Sequence, residues 1–269
     1  RMNQFTGDSK YIDVLERSMY NGALAGISLE GDRFFYVNPL ESKGDHHRQA
    51  WYGCACCPSQ ISRFLPSIGN YGTSNEAIWV NLYIGNSTEI NTDNTNVTLR
   101  QETNYPWDGT VKLTVTPSNP LKKEIRLRIP SWCEQYTLSV NGQLVKAPTE
   151  KGYAVLNKEW KQGDVISLSM EMPVKLMTAD PRVKQNIGKR AIQRGPLVYC
   201  MEEVDNPQDF DNLKIAANTS FNAQFNPKLL NGITTIKATT NELAITLIPY
   251  YTWDNRKAGK MKVWIDYNE

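Results

Sequence analysis

Three of the five cysteines in this 269-residue chain fall within four positions, in Trp51-Tyr52-Gly53-Cys54-Ala55-Cys56-Cys57-Pro58. Adjacent cysteines bond to each other only through a strained ring, and a disulfide framework spaces its cysteines more widely. Free thiols or metal ligands are the better reading. Pro58 suits the first position of a helix, which puts Cys57 at the cap and Cys56 just before it. The partial positive charge at a helix N-terminus lowers a thiol pKa and so favours the thiolate, the form that binds metal or attacks carbon.

Zinc takes four ligands, and this cluster offers at most three sulfurs in cramped geometry, so further ligands must come from elsewhere. His46 and His47 are near in sequence and would complete a self-contained structural zinc site. Plainer readings stand beside these. The cysteines also fit as small buried hydrophobes, and Lys43-Gly44-Asp45-His46-His47-Arg48 as a solvated loop. Cys133 and Cys200 sit in strand-like contexts as inert core residues.

The elements that position these residues follow from periodicity. Residues 8–26 have helical rhythm: after a cap at Asp8, Tyr11, Val14, Leu15, Ser18 and Met19 recur at helical spacing until Gly22 and Gly26 weaken it. The stretch from Phe34 to Leu40 is extended and aromatic. Beyond Pro58, Ile61, Phe64, Leu65 and Ile68 share a helical face that Pro66 should kink or shorten.

From Ala77 the period falls to two, as in Ile78, Val80, Leu82 and Ile84, and again in 111–115 and 125–129. Asn141-Gly142 is a hairpin signal. Further strands are expected at 153–156, 165–170, 174–177, 191–201, 233–238, 243–250 and 260–265, with 204–232 the longest loop-rich stretch. Many short strands with no helices between them argue for antiparallel sandwiches.

Thirty basic residues against 28 acidic leave a net charge of +2, which gives no electrostatic case for nucleic acid or an anionic membrane as partner. Neutral sugars fit such a surface better. No apolar run approaches the ~20 residues of a membrane helix. Residues 1–5 lack the apolar core and cleavage site of a signal peptide, and the compartment stays open.

Several motifs in order resemble one family. They are Tyr11-Ile12-Asp13-Val14-Leu15-Glu16-Arg17, Tyr20-Asn21-Gly22, the run from Phe34 to Leu40, and Cys54-Ala55-Cys56-Cys57-Pro58. Arg126-Leu127-Arg128-Ile129-Pro130-Ser131-Trp132, the run Arg194 to Cys200 and the run Ile248 to Arg256 continue it. Together they resemble glycoside hydrolase family 127, the bacterial β-L-arabinofuranosidases, or its close relative family 146, over nearly the whole chain.

The resemblance implies a mostly β chain: the C-terminal end of an α/α barrel over 1–72, then antiparallel β-sandwich domains over 73–175 and 176–269. It implies zinc held by one glutamate and three cysteines, two of them matched by Cys56 and Cys57, with Cys56 also the nucleophile of a retaining glycosidase. Glu16 and Tyr36, whose local readings are a helix-surface carboxylate and a packed core aromatic, match positions that line the sugar pocket.

In the family the Glu-x-Cys ligands and the acid/base glutamate precede the segment matching Arg1-Met2. The isolated chain is therefore expected to bind zinc weakly and to hydrolyse no arabinofuranoside. Its expected partners are a carbohydrate substrate, the N-terminal barrel segment, and a second copy through an apolar face at Tyr11, Leu15, Ile61 and Phe64. Two other readings compete: a non-catalytic carbohydrate-binding or structural β-sandwich module, and a structural zinc protein using His46, His47 and the cysteines.

Overall fold

Strands form over most stretches where apolar residues alternate after Ala77, although the first ends at Val80 and leaves Leu82 and Ile84 outside it, in a computed structural model that describes residues 1–71, 77–92, 94–239 and 244–268. The change of architecture expected at residues 72 and 73 lies outside the described residues. The chain divides into two compact units: Arg1–Glu16 with Pro66–Met172, and Arg17–Leu65 with Pro173–Glu269.

In the first unit, the described residues make a four-stranded sheet in the order Ile78–Val80, Leu121–Arg128, Tyr153–Trp160, Thr149–Glu150. A six-stranded sheet runs Asn86–Thr92, Thr95–Thr103, Thr110–Pro117, Asp164–Met170, Tyr136–Val140, Gln143–Leu144. Alternation fixes which side is buried: Val111, Leu113 and Val115 are buried while Lys112 faces out. Asn141 and Gly142 both take positive φ, at 52° and 79°, as the two-residue hairpin turn requires.

In the second unit the described strands form one ten-stranded sheet, whose central order is Lys189–Arg194, Leu197–Glu202, Ala244–Pro249, Ile233–Thr239, Ser220–Asn226. The short strand Glu41–Ser42 joins it by pairing with Met261–Lys262. This tethers the segment between Phe34 and the cysteines to the C-terminal strands.

The class is as expected: mostly β, with several antiparallel sheets and only short 3-10 turns among the described residues after Ile78. Two pairings depart from it, Ile78–Val80 with Leu121–Arg128 and Lys214–Ala216 with Ile265–Asn268, which are parallel. The strand expected over 191–201 is two strands, because Gly195 at φ 55° turns the chain between Arg194 and Leu197.

The stretch 204–232, expected to be loop-rich, holds two strands, Lys214–Ala216 and Ser220–Asn226, the second with Phe221, Ala223 and Phe225 alternating at strand period. Ser220–Asn226 lies at a sheet edge, where backbone pairing needs no apolar side chain. The early helix also differs. It runs over Lys10–Ser18 and then loosens into a π turn at Met19–Ala23 and a 3-10 turn at Leu24–Gly26, where the glycines lie.

Candidate active site

The helix carrying the cysteines is Cys56–Ser67, so it starts two residues before Pro58. Ala55 is its cap, accepting from the Ser59 backbone N–H at 3.2 Å. Pro58 is thus the third helical residue rather than the first. A proline is tolerated there because the first four N–H groups of a helix have no internal acceptor. Cys56 and Cys57 consequently lie inside the first turn, not ahead of it, and all five cysteines are free.

Cys56 Sγ lies 3.4 Å from the Tyr36 hydroxyl and 3.7 Å from Cys57 Sγ. The Tyr36 hydrogen bond, followed by that of Cys57, holds the Cys56 thiol below its ordinary pKa. The Cys57 thiol is raised, first by its bond to Cys56 and then by burial. Tyr36 is raised in turn by Cys56. One sulfur of the adjacent pair is therefore favoured as thiolate. Cys54 acts on both groups, helping to raise Tyr36 and to lower Cys56.

Tyr36 is held from several directions. Its backbone N–H donates to the Tyr52 hydroxyl at 3.1 Å, and that hydroxyl donates to the Phe34 carbonyl at 3.0 Å. Phe34 and Gln49 exchange two backbone hydrogen bonds, at 2.8 and 2.9 Å. Phe35 is buried and stacks against both His46 and Trp253, at centroid distances of 4.9 and 4.7 Å.

The histidines are engaged elsewhere. His46 Nε2 lies 2.9 Å from the Val37 carbonyl, and His47 Nδ1 lies 2.9 Å from Asp254 Oδ1. That carboxylate raises the His47 pKa. Among the described residues no group of three or more His, Cys, Asp or Glu side chains is arranged to hold a metal. The self-contained zinc site expected from His46, His47 and the cysteines is therefore not assembled among the described residues: the fold does not gather the imidazoles with the thiols.

Glu16 lies in the first unit, with 2% of its side chain exposed. Oε1 accepts from the Tyr105 hydroxyl at 2.7 Å and from the Arg128 guanidinium, and Oε2 faces Trp132 Nε1 at 3.4 Å. The expected helix-surface carboxylate is instead a buried one, because Arg128, itself fully buried, supplies its counter-charge. The quoted motifs already contained Arg128, Trp132 and Asp254, but nothing local in the sequence gave them a partner.

The donor set tests the fit of zinc. Two sulfurs each ~2.3 Å from a tetrahedral zinc lie about 3.8 Å apart, and the Cys56 and Cys57 sulfurs are 3.7 Å apart. Two thiols at that separation, both free, fit half of a zinc shell.

The family models matching the chain divide it into three. Residues 1–70 match the β-L-arabinofuranosidase GH127 catalytic domain, 77–172 the GH127 middle domain, and 174–266 the glycoside hydrolase family 127 C-terminal domain. A non-reducing end β-L-arabinofuranosidase of Bifidobacterium longum subsp. longum is 34% identical over 95% of this chain and 45% of its own length. A crystal structure of a GH127 β-L-arabinofuranosidase from Geobacillus stearothermophilus T6 matches with a TM-score of 0.94 and 39% identity, over 100% of this chain and 48% of that one. A second GH127 structure, a β-arabinofuranosidase, matches with a TM-score of 0.93 and 37% identity over 100% and 47%. The chain spans about half the length of these relatives.

Proposed function

The chain belongs to glycoside hydrolase family 127, and from that premise we propose that it forms one end of the active site of a retaining β-L-arabinofuranosidase with Cys56 as nucleophile. The observation that carries the reading is the favoured thiol itself: Cys56, in the first turn of its helix, has the Tyr36 hydroxyl at 3.4 Å. A group poised to be the better thiolate of an adjacent pair suits nucleophilic attack.

In this reading the Cys56 sulfur attacks the anomeric carbon as the bond to the leaving oxygen breaks. A glutamic acid of the complete protein's barrel protonates that oxygen. Water then displaces the sulfur from the sugar, and the two displacements together retain configuration. Zinc, when bound, would keep the paired thiols deprotonated and oriented near neutral pH. Cys56 and Cys57 would be two of its ligands, the others coming from the barrel segment.

Tyr36 would meet both the thiol and the sugar. Glu16 is assigned to the sugar pocket by family position alone, and its present partners are Tyr105, Arg128 and Trp132. Residues 1–72 would be the last part of an α/α barrel, with sandwich domains over 73–175 and 176–269. The barrel segment would be the natural partner of the exposed apolar side chains Met2, Phe5 and Val14, and separately of Val37, Leu40 and Trp51, with self-association the outcome in its absence.

The test is a mechanism-based furanoside inhibitor on this chain joined to the barrel segment, followed by peptide mass mapping. Label on Cys56 is expected, and Cys56→Ser should abolish turnover, because an alkoxide is far harder to form than a thiolate. Label on Cys57, Cys54 or a carboxylate would defeat the assignment.

A further inference from the structure

The segment Trp253-Asp254-Asn255-Arg256 lies about 200 residues from the cysteines in sequence, yet it is built into the loop that carries Tyr36. Asp254 is the centre of this attachment. Its Oδ2 accepts the Arg48 backbone N–H at 2.7 Å, and its Oδ1 takes His47 Nδ1 at 2.9 Å. Its own backbone N–H donates to Glu202 Oε1 at 2.8 Å. All three bonds hold Asp254 in the left-handed region, at φ 56°, which aspartate tolerates better than most residues.

What Asp254 fixes leads to the site. Arg48 sends its buried guanidinium to the carbonyls of Ala25, Tyr251 and Trp253, at 2.8, 3.3 and 3.2 Å. It also lies over the Phe35 ring, 4.1 Å from its centroid. Phe35 is clamped against Trp253 on its stacked side, and the next residue, Tyr36, has its hydroxyl on Cys56 Sγ. The neighbouring residue Gln49 pairs with Phe34 through two backbone bonds. A tyrosine hydroxyl swings through a wide arc unless its backbone is fixed on both sides, and here residues 46–49 hold Phe34 through Gln49 and the Val37 carbonyl through His46.

We propose that Asp254 is a positioning residue for the site thiol: through His47–Arg48 and Phe35 it holds the Tyr36 hydroxyl against Cys56. The proposal rests on the reading of Cys56 as the working sulfur, but the contact it explains is measurable without any activity. It gives the C-terminal module a part in the chemistry, since the loop has no other carboxylate bonded to its backbone at His47–Arg48 among the hydrogen bonds of the described residues.

The test places 3-fluorotyrosine at position 36 of the full 269-residue chain and follows its fluorine resonance. In the parent, Cys56→Ala should shift that resonance, because the sulfur is a direct neighbour. In Asp254→Ala the resonance should already have moved toward free tyrosine, and Cys56→Ala should then shift it little, the non-additivity expected of coupled groups. Asp254→Asn keeps an oxygen for the Arg48 N–H and an amide for His47, so it should retain most of the Cys56 response. It also decides the question if Asp254→Ala fails to fold. A full Cys56 response in a folded Asp254→Ala chain, or its complete loss in a folded Asp254→Asn chain, would overturn the proposal. Inhibitor label away from Cys56 would defeat the catalytic reading and leave this comparison standing.

Discussion

Arg128 and Glu16 form an ion pair in which 0% and 2% of the two side chains reach solvent. Burial works against the Arg128 charge, yet Glu16, with Tyr105 and Asp13, holds the guanidinium above its ordinary pKa. The Arg128 Nε donates to the Asn81 carbonyl at 2.7 Å and its Nη1 to Asp13 Oδ1 at 2.6 Å, so the charge is fully satisfied. Removing one partner of such a pair strands the other: Glu16→Ala should destabilise the first unit by about 3–5 kcal/mol. Denaturant unfolding measures this, and a loss below 1 kcal/mol would show that the pair is not a keystone of this unit.

The His47–Asp254 contact makes a pH-dependent contribution in the second unit. Asp254 raises the His47 pKa above the ordinary histidine value of about 6.5, so the folded state binds the proton more tightly than the unfolded chain does. The stabilisation is therefore fully present below about pH 6.5 and is lost as pH rises through the raised folded value. Unfolding midpoints measured from pH 5 to 8 should decline over that window in the parent and lose the His47 part of the decline in His47→Gln.

Zinc binding by this chain should depend on the thiols and not on the imidazoles. Competition with a chromophoric chelator is expected to give weak affinity, lowered further by Cys57→Ser and unchanged by His46→Ala. Tight stoichiometric zinc that disappears with the histidines would reverse this picture.

Gly109 is a packing constraint independent of the site. A Cβ there would lie 2.0 Å from the Met170 carbonyl oxygen, while the Gly109 carbonyl accepts from the Met170 N–H at 3.0 Å. Gly109→Ala must move backbone rather than a flexible side chain, and should cost about 1–3 kcal/mol by denaturant midpoint. Gly69→Ala, which meets nothing within 4 Å, is the control.

Much of this protein was legible from local pattern. Period-two alternation located the strands of 111–115 and 125–129, because a half-buried sheet writes its two faces directly into the order of residues. The Asn141-Gly142 pair located a hairpin because few other residues accept positive φ twice in succession. The cysteine cluster could be read as free thiols from residue type and adjacency, and the order of motifs carried the family.

Partnership was not written locally. Glu16 reads as a surface carboxylate until Arg128, 112 positions away, is brought under it. His46 and His47 read as a solvated loop, with metal ligation the alternative, and nothing local pointed to the Val37 carbonyl and Asp254 as their partners. The edge strand Ser220–Asn226 carries the alternation Phe221, Ala223, Phe225 inside a stretch read as loop-rich, and its pairing with Ile233–Thr239 was not written locally. A sequence fixes what each side chain can bond to, but the long-range pairing that puts Asp254 beside Arg48, or Arg128 beside Glu16, is settled only when sheets and loops close, because desolvation makes each buried polar group take whichever complementary partner the fold delivers.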